Sequence, residues 1–258
     1  MKLFTKGSIL AVTLATAFNA FAAPVYFGTG ESFDRLVSSQ HKTDFARLAN
    51  FYEAQENKVF CGVASTVIVL NALKVKELDA ATEIPYDNSL VATHEKGYFP
   101  TKNNWQPYFH RYTQNTVLTK SPKTRLEIMG KPTSEFNFND YGLQLDQFAA
   151  LVESNGAHVK AVELAKLDDI NSVKQDLIKA LDKKDNYLVI NYARKGVEQK
   201  GGGHFSPIAA YDQKSDSFLV MDVNSSKYPW AWIDADLVIK SMNTKDIDAY
   251  RGYAVITN

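Results

Sequence analysis

Apolar residues recur along this chain at two spacings, and the spacings divide it into predicted helices and strands. Val63, Val67, Leu70 and Leu73 share one helical face, which predicts a buried helix over Cys61–Leu73. Gly142–Ser154 turns Leu145, Phe148, Leu151 and Val152 inward and meets its stop at Gly156. Asp168–Lys184 aligns Ile170, Val173, Leu177 and Leu181. Ser32–Ser39, Thr43–Ala54 and Asp234–Met242 complete the helical set; Phe45, Leu48, Ala49 and Tyr52 give the second of these its apolar face. Strands are predicted at Ala157–Leu164, Tyr187–Ala193, His204–Tyr211, Phe218–Val223 and Gly252–Thr257. Asp212–Ser217 is a polar turn that joins two of them into a hairpin.

Residues 79–140 show no long period and read as loops with short helices. Their aromatic side chains (Tyr98, Phe99, Trp105, Tyr108, Phe109) suit either a cleft wall or core. There is no internal repeat. Helices come first and antiparallel strands cluster late, an α+β arrangement with a cleft between a helical part and a sheet.

Composition narrows the function classes. The chain carries 29 basic and 29 acidic residues, a balance that disfavours nucleic acid or an anionic membrane as main partner. The first 22 residues read as a secretory signal: Lys2 and Lys6, an apolar stretch over Ser8–Phe18, and Ala20-Phe21-Ala22 before the cut. The apolar stretch is shorter than the roughly 20 residues a membrane span needs. The expected layout is a signal over 1–22 and one catalytic domain over 23–258, in a bacterial periplasm or outside the cell, with no membrane contact after cleavage. One cysteine allows no internal disulfide and no intrachain thiolate cluster for a metal.

That cysteine, Cys61, sits where a loop turns into the buried helix. Helix-start N–H groups are unpaired and carry partial positive charge, so a thiolate there is stabilised. A lone Cys beside an apolar helix also reads as a small buried hydrophobe. Three further residues fit nucleophilic chemistry. His204 opens a strand after Gly201-Gly202-Gly203 and suits a general base. Asp222, on the paired strand, falls opposite Phe205 or His204 and suits the group that orients an imidazole. Gln55, six residues before Cys61, suits an oxyanion donor alongside the Cys61 N–H. Taken singly, His204 reads as a strand-end histidine, Asp222 as a cap on Asn224 and Gln55 as a surface residue. His41, His94, His110 and His158 have no such setting.

The segments QENKVFCGVASTVIVLNAL, NYARKGVEQKGGGHFSPIAAYDQKSDSFLVMDVNSSKYPWAWI and RGYAVIT resemble the phytochelatin synthase family, most closely its short bacterial members. The resemblance implies a papain-like fold with Cys61, His204 and Asp222 as catalytic triad and Gln55 at the oxyanion position. It implies attack on the Cys–Gly amide of glutathione, release of glycine, and a γ-glutamylcysteinyl thioester on Cys61. Water then gives γ-glutamylcysteine; a second glutathione, as acceptor, gives phytochelatin. Asn191, Arg194, Gly203 and Arg251 align with substrate-binding positions. The arginines suit carboxylates through their planar fork, and read equally as ordinary salt bridges. No cofactor or protein-bound metal is implied; a heavy-metal ion would enter as a metal–glutathione thiolate substrate or as an activator. A homodimer is left open. The plant enzymes' Cys-rich C-terminal extension has no counterpart here, which favours hydrolysis with modest transfer. The rival readings are a double-glycine leader peptidase and a non-catalytic binding module of the same fold.

Overall fold

A computed structural model describes residues 23–75, 84, 86, 91–99, 108, 110–130, 140–166 and 169–258. The expected signal at 1–22 lies outside them, as do Trp105, Phe109 and Asp168. Seven strands form one sheet: β1 (Val25–Tyr26), β2 (His158–Glu163), β3 (Tyr187–Ala193), β4 (Gly203–Asp212), β5 (Ser217–Val220), β6 (Ala231–Asp234) and β7 (Gly252–Thr257). Their order is β1-β6-β5-β4-β3-β7-β2, and every neighbouring pair is antiparallel. The helices are α1 (Gly30–Ser38), α2 (Phe45–Asn50), α3 (Cys61–Lys74), α4 (Arg125–Ile128), α5 (Leu145–Ser154), α6 (Ile170–Asp182) and α7 (Ala235–Met242). No described helix is long and apolar enough to cross a membrane.

The central strands β3, β4 and β5 are buried on both faces, which explains why they read as near-continuous apolar runs, while edge strand β2 is largely exposed. Along β3, Tyr187 and Val189 join the core beneath α3 and α5, while Leu188, Ile190 and Tyr192 join the core beneath α6 and α7. α3 has no polar face at all: every residue from Cys61 to Leu73 is buried. Its one amide, Asn71, offsets the cost of burial by exchanging two 2.9 Å hydrogen bonds with the Tyr112 backbone. The nucleophile candidate therefore stands at the tip of the most enclosed element of the fold.

Two strands escape the sequence pattern. β1 has two residues and β6 four, too short for an alternation to register. β5 is shorter than expected and ends at Val220, so Asp222 lies past the ladder rather than within it. The register places Ile208 opposite Val220, with a bulge between Ile208 and Ala210. Pro207 has no N–H to give; its carbonyl accepts from the Met221 N–H at 2.9 Å as the last link of the pair. The helix expected at Thr43–Ala54 keeps only Phe45–Asn50, because the chain then turns to bond Gln55 N–H to the Val223 carbonyl at 2.8 Å. Tyr98 joins neither core nor cleft; it is exposed.

Gly252 shows how tightly β7 and β2 meet. A Cβ there would lie 1.9 Å from the Val162 carbonyl oxygen, a backbone atom that cannot step aside. Gly252→Ala should destabilise the protein by about 3 kcal/mol through overpacking, read as a lower urea midpoint with little change in slope.

Candidate active site

The chain brings Cys61, His204 and Asp222 together from three separate places. Cys61 is the first residue of α3, with Phe60 as the N-cap. His204 is the second residue of β4, and Asp222 follows β5. The His204 Nε2–H donates to Asp222 Oδ1 at 2.9 Å. That fixes the ring and leaves Nδ1 for the thiol, with which His204 is also hydrogen-bonded. All three groups are buried; Cys61 retains 9 % exposure, so its sulfur is reached only through the cleft.

Electrostatics favour an ion pair. Burial pushes the Cys61 thiol up, but the hydrogen bond and charge of His204 and the backbone N–H groups of Phe205 and Gly62 outweigh it. The net result lies below the ordinary thiol value of 9.0. Burial pushes His204 down, yet Asp222 and Cys61 carry it above its ordinary 6.5. Burial pushes Asp222 up, and His204 and Arg194 more than reverse this. A thiol lowered and an imidazole raised by each other is the signature of a thiolate–imidazolium pair.

Asp222 accepts more than the histidine. Arg194 reaches it with both fork nitrogens, Nη1 to Oδ2 at 2.7 Å and Nη2 to Oδ1 at 3.0 Å. The Asn224 N–H also donates to Oδ1 at 2.8 Å, so the cap on Asn224 and the histidine contact coexist. Arg194 is itself buried. Of its two readings, substrate arm and salt bridge, the structure shows the salt bridge: its guanidinium faces Asp222 and Gln199.

Gln55 donates its N–H to the carbonyl of Val223, the residue after Asp222. Its side-chain amide donates to the Asn57 carbonyl at 2.5 Å, and its Oε1 is buried without a partner among the described residues. Asn191 and Gly203 line the cleft, and Arg251 lies against Gly203 just behind that wall. Arg251 Nη2 donates to Asp246 at 2.7 Å, and Asn191 Nδ2 to the same carboxylate at 3.4 Å. Arg251 Nε and Asn191 Oδ1 are buried with no partner among the described residues. A Cβ on Gly203 would lie 2.8 Å from Arg251 Nη2, so only glycine lets the guanidinium lie against that strand. Sequence reasoning missed Asp246: it sits in a loop without periodicity, and only Arg251 and Asn191 reveal it.

The cleft is a cavity of about 300 Å³ whose walls include Cys61, Gln144, Asn191, Gly203, His204 and Asp246. That is the low end for small-molecule sites, roughly 300–1,000 Å³. A larger groove of about 470 Å³ between α6 and β7 has no cysteine in its lining. Of the other histidines, His41 pairs with Asp182 at 2.8 Å and His110 with the Ile84 carbonyl at 2.5 Å. Among the described residues no group of three His, Cys, Asp or Glu side chains is arranged to hold a metal.

The profile of the phytochelatin synthase family matches residues 22–253. The chain belongs to that family. It is 26% identical over 215 residues to "glutathione gamma-glutamylcysteinyltransferase 3" of Lotus japonicus, covering 83% of this chain and 37% of that protein. It is 27% identical over 239 residues to "glutathione gamma-glutamylcysteinyltransferase 1" of Triticum aestivum, covering 92% and 38%. The transferase of Schizosaccharomyces pombe is 24% identical over 212 residues, covering 81% and 42%. The chain thus matches about two fifths of the length of these relatives. The residues matched by the family profile, 22–253, include every residue of the cleft described above.

Proposed function

We propose that this member of the phytochelatin synthase family is a papain-like thiol enzyme that cleaves the Cys–Gly amide of glutathione. The observation that carries the reading is the buried Cys61–His204–Asp222 array opening on a cavity with unspent polar atoms at one end. Papain-like here means a helix start presenting sulfur to a histidine on an antiparallel sheet.

In this scheme the Cys61 thiolate attacks the carbonyl carbon of glutathione's cysteinyl residue. The Cys61 N–H, one of the unpaired donors of the helix start, receives the oxyanion. Gln55 joins it by exchanging the Asn57 carbonyl for the same oxygen. The imidazolium of His204 gives its proton to the departing nitrogen, the C–N bond breaks, and glycine leaves. A γ-glutamylcysteinyl thioester stays on Cys61. Water, or the neutral amine of a second glutathione, then attacks the thioester carbonyl as the neutral His204 takes its proton; the C–S bond breaks, Cys61 leaves as thiolate beside the re-formed imidazolium, and γ-glutamylcysteine or phytochelatin is released. Asp246, Asn191 Oδ1 and Arg251 Nε offer an anion, an acceptor and a donor in one place, a match for the ammonium and carboxylate at the γ-glutamyl end. Heavy metal enters as a metal–glutathione thiolate substrate or an activator, in a periplasmic enzyme delivered by residues 1–22.

Brief exposure to glutathione, followed by mass spectrometry of the intact protein, tests this directly. The expected result is a γ-glutamylcysteinyl adduct on Cys61 and free glycine in solution. Absence of both, with cleavage of a double-glycine peptide instead, would move the protein to the peptidase reading.

A further inference from the structure

Arg194 is an odd residue to find unavailable to solvent. It follows β3 at the start of a one-turn 3-10 segment, Arg194–Val197, and its side chain is 3 % exposed. Nothing about its position in sequence ties it to Asp222, 28 residues away. Yet both ends of its fork bond that carboxylate, and the arginine is itself fixed from three sides. Gln199 Oε1 accepts from Nη1 at 2.5 Å. The Tyr228 ring lies 5.1 Å from the guanidinium carbon. Gly201, at φ +140°, passes so close that a Cβ there would lie 2.7 Å from Arg194 Cδ.

The backbone around it closes into a loop. Arg194 N–H donates to the Gly202 carbonyl at 3.1 Å, and Gln199 N–H donates back to the Arg194 carbonyl at 2.9 Å. Glu198 takes a left-handed conformation, φ 60°, to make that turn. Lys200 N–H donates to the Tyr228 hydroxyl at 2.8 Å. The loop therefore wraps the guanidinium and delivers Gly202 and Gly203 to the cleft, directly before His204.

We infer that Arg194 is a positioning residue, whose fork fixes the Asp222 carboxylate against His204 and whose loop sets the Gly202–Gly203 wall of the cleft. This rests on the thiol-enzyme reading above and assigns Arg194 a role apart from substrate contact. Two bonds to one carboxylate leave it no free rotation, which a single bond to histidine would not achieve. The same fork places a fixed positive charge behind the carboxylate. Asp222 therefore raises His204 less than it would alone, because Arg194 repels the imidazolium that Asp222 attracts. Arg194 and the Cys61 thiolate attract each other across the site. Among the described residues, Tyr192 of β3, Tyr26 of β1 and Tyr52 after α2 face this cluster, all held above the ordinary phenol value chiefly by burial and so uncharged through neutral pH; the Lys227 ammonium also stands beside it, 5.7 Å from the Tyr228 ring. Tyr228 packs against the guanidinium face.

The test compares Arg194→Met and Arg194→Lys with the unmodified protein. Two readouts are used: the pH profile of Cys61 alkylation by iodoacetamide, which needs no substrate, and kcat and KM for glycine release from glutathione. Loss of the positive charge in Arg194→Met should move both steps of the alkylation profile upward, each by about half a pH unit or more. Its kcat should fall roughly 30-fold with KM nearly unchanged, since general acid–base catalysis loses its alignment. Arg194→Lys should return the alkylation steps to their original pH but restore kcat only in part, because one ammonium cannot make both bonds. An Arg194→Met alkylation profile superimposed on the original, with KM raised instead, would overturn the inference and make Arg194 a substrate arm. Full recovery of kcat by lysine would overturn the need for a fork. If Arg194→Met does not fold, the lysine variant decides alone. Shifted alkylation steps in a protein that never releases glycine would support the positioning role and discard glutathione as substrate.

Discussion

Replacing Cys61 by Ser should abolish glycine release from glutathione, with a loss of about 1,000-fold or more, equivalent to roughly 4 kcal/mol of barrier. The cause lies in the geometry around the sulfur. His204, Phe205 and Gly62 together stabilise a thiolate strongly enough to overcome burial. A serine hydroxyl in the same place stays protonated, since its ionisation lies far above anything those contacts offset. The substitution is nearly isosteric, and Cys61 sits at the helix start where serine is well tolerated, so the fold should survive. Circular dichroism matching the unmodified protein, alongside lost activity and lost mass adduct, is the expected pattern. Retained glycine release would place the nucleophile elsewhere.

Asp222→Asn should lower the rate by roughly 100-fold, within the range for misaligned general acid–base catalysis, and shift the pH profile. The unmodified enzyme should give a bell. Its acid limb is thiol ionisation, below 9.0; its alkaline limb is loss of the imidazolium proton, above 6.5. Activity needs the form between them, thiolate with imidazolium. Asp222 favours the imidazolium, so removing its charge lets His204 deprotonate at lower pH and the alkaline limb moves down. Removing a negative charge near the sulfur also eases thiol ionisation, so the acid limb moves down with it. Both limbs thus move opposite to the shifts expected for Arg194→Met. An alkaline limb unmoved in Asp222→Asn would mean that the carboxylate does not govern the histidine. The variant also leaves Arg194 buried beside a neutral partner, so its Tm should fall.

Much of the fold is legible from residue order because the core elements are long and apolar. α3, α5, α6 and α7 fall within a few residues of their patterns, as do β2, β3, β4 and β7. What escapes is decided by contacts rather than by period. β1 and β6 exist because Val25 pairs with Trp232 and Tyr26 with Ala231, not because two or four residues can show alternation. At the site, Cys61, His204 and Asp222 stand out through local context: a helix start, a glycine run and a hairpin. Arg194 and Asp246 do not. An arginine in NYARKGVEQK looks like any surface cation, and only the folded loop shows it spent on Asp222. Asp246 is one acid among several near Asp248, distinguished by meeting Arg251 and Asn191 in space.

α3 is enclosed along its whole length, and this bears on how the specificity of such a protein is free to change. A residue on that helix answers to packing first, so variation there is paid in stability before it alters selectivity. The loops that carry Tyr141 and Ile247 line the cleft and leave both side chains exposed rather than in the core. Libraries aimed at a new thiol or a new amide should therefore be drawn from those loops, with the helix left untouched.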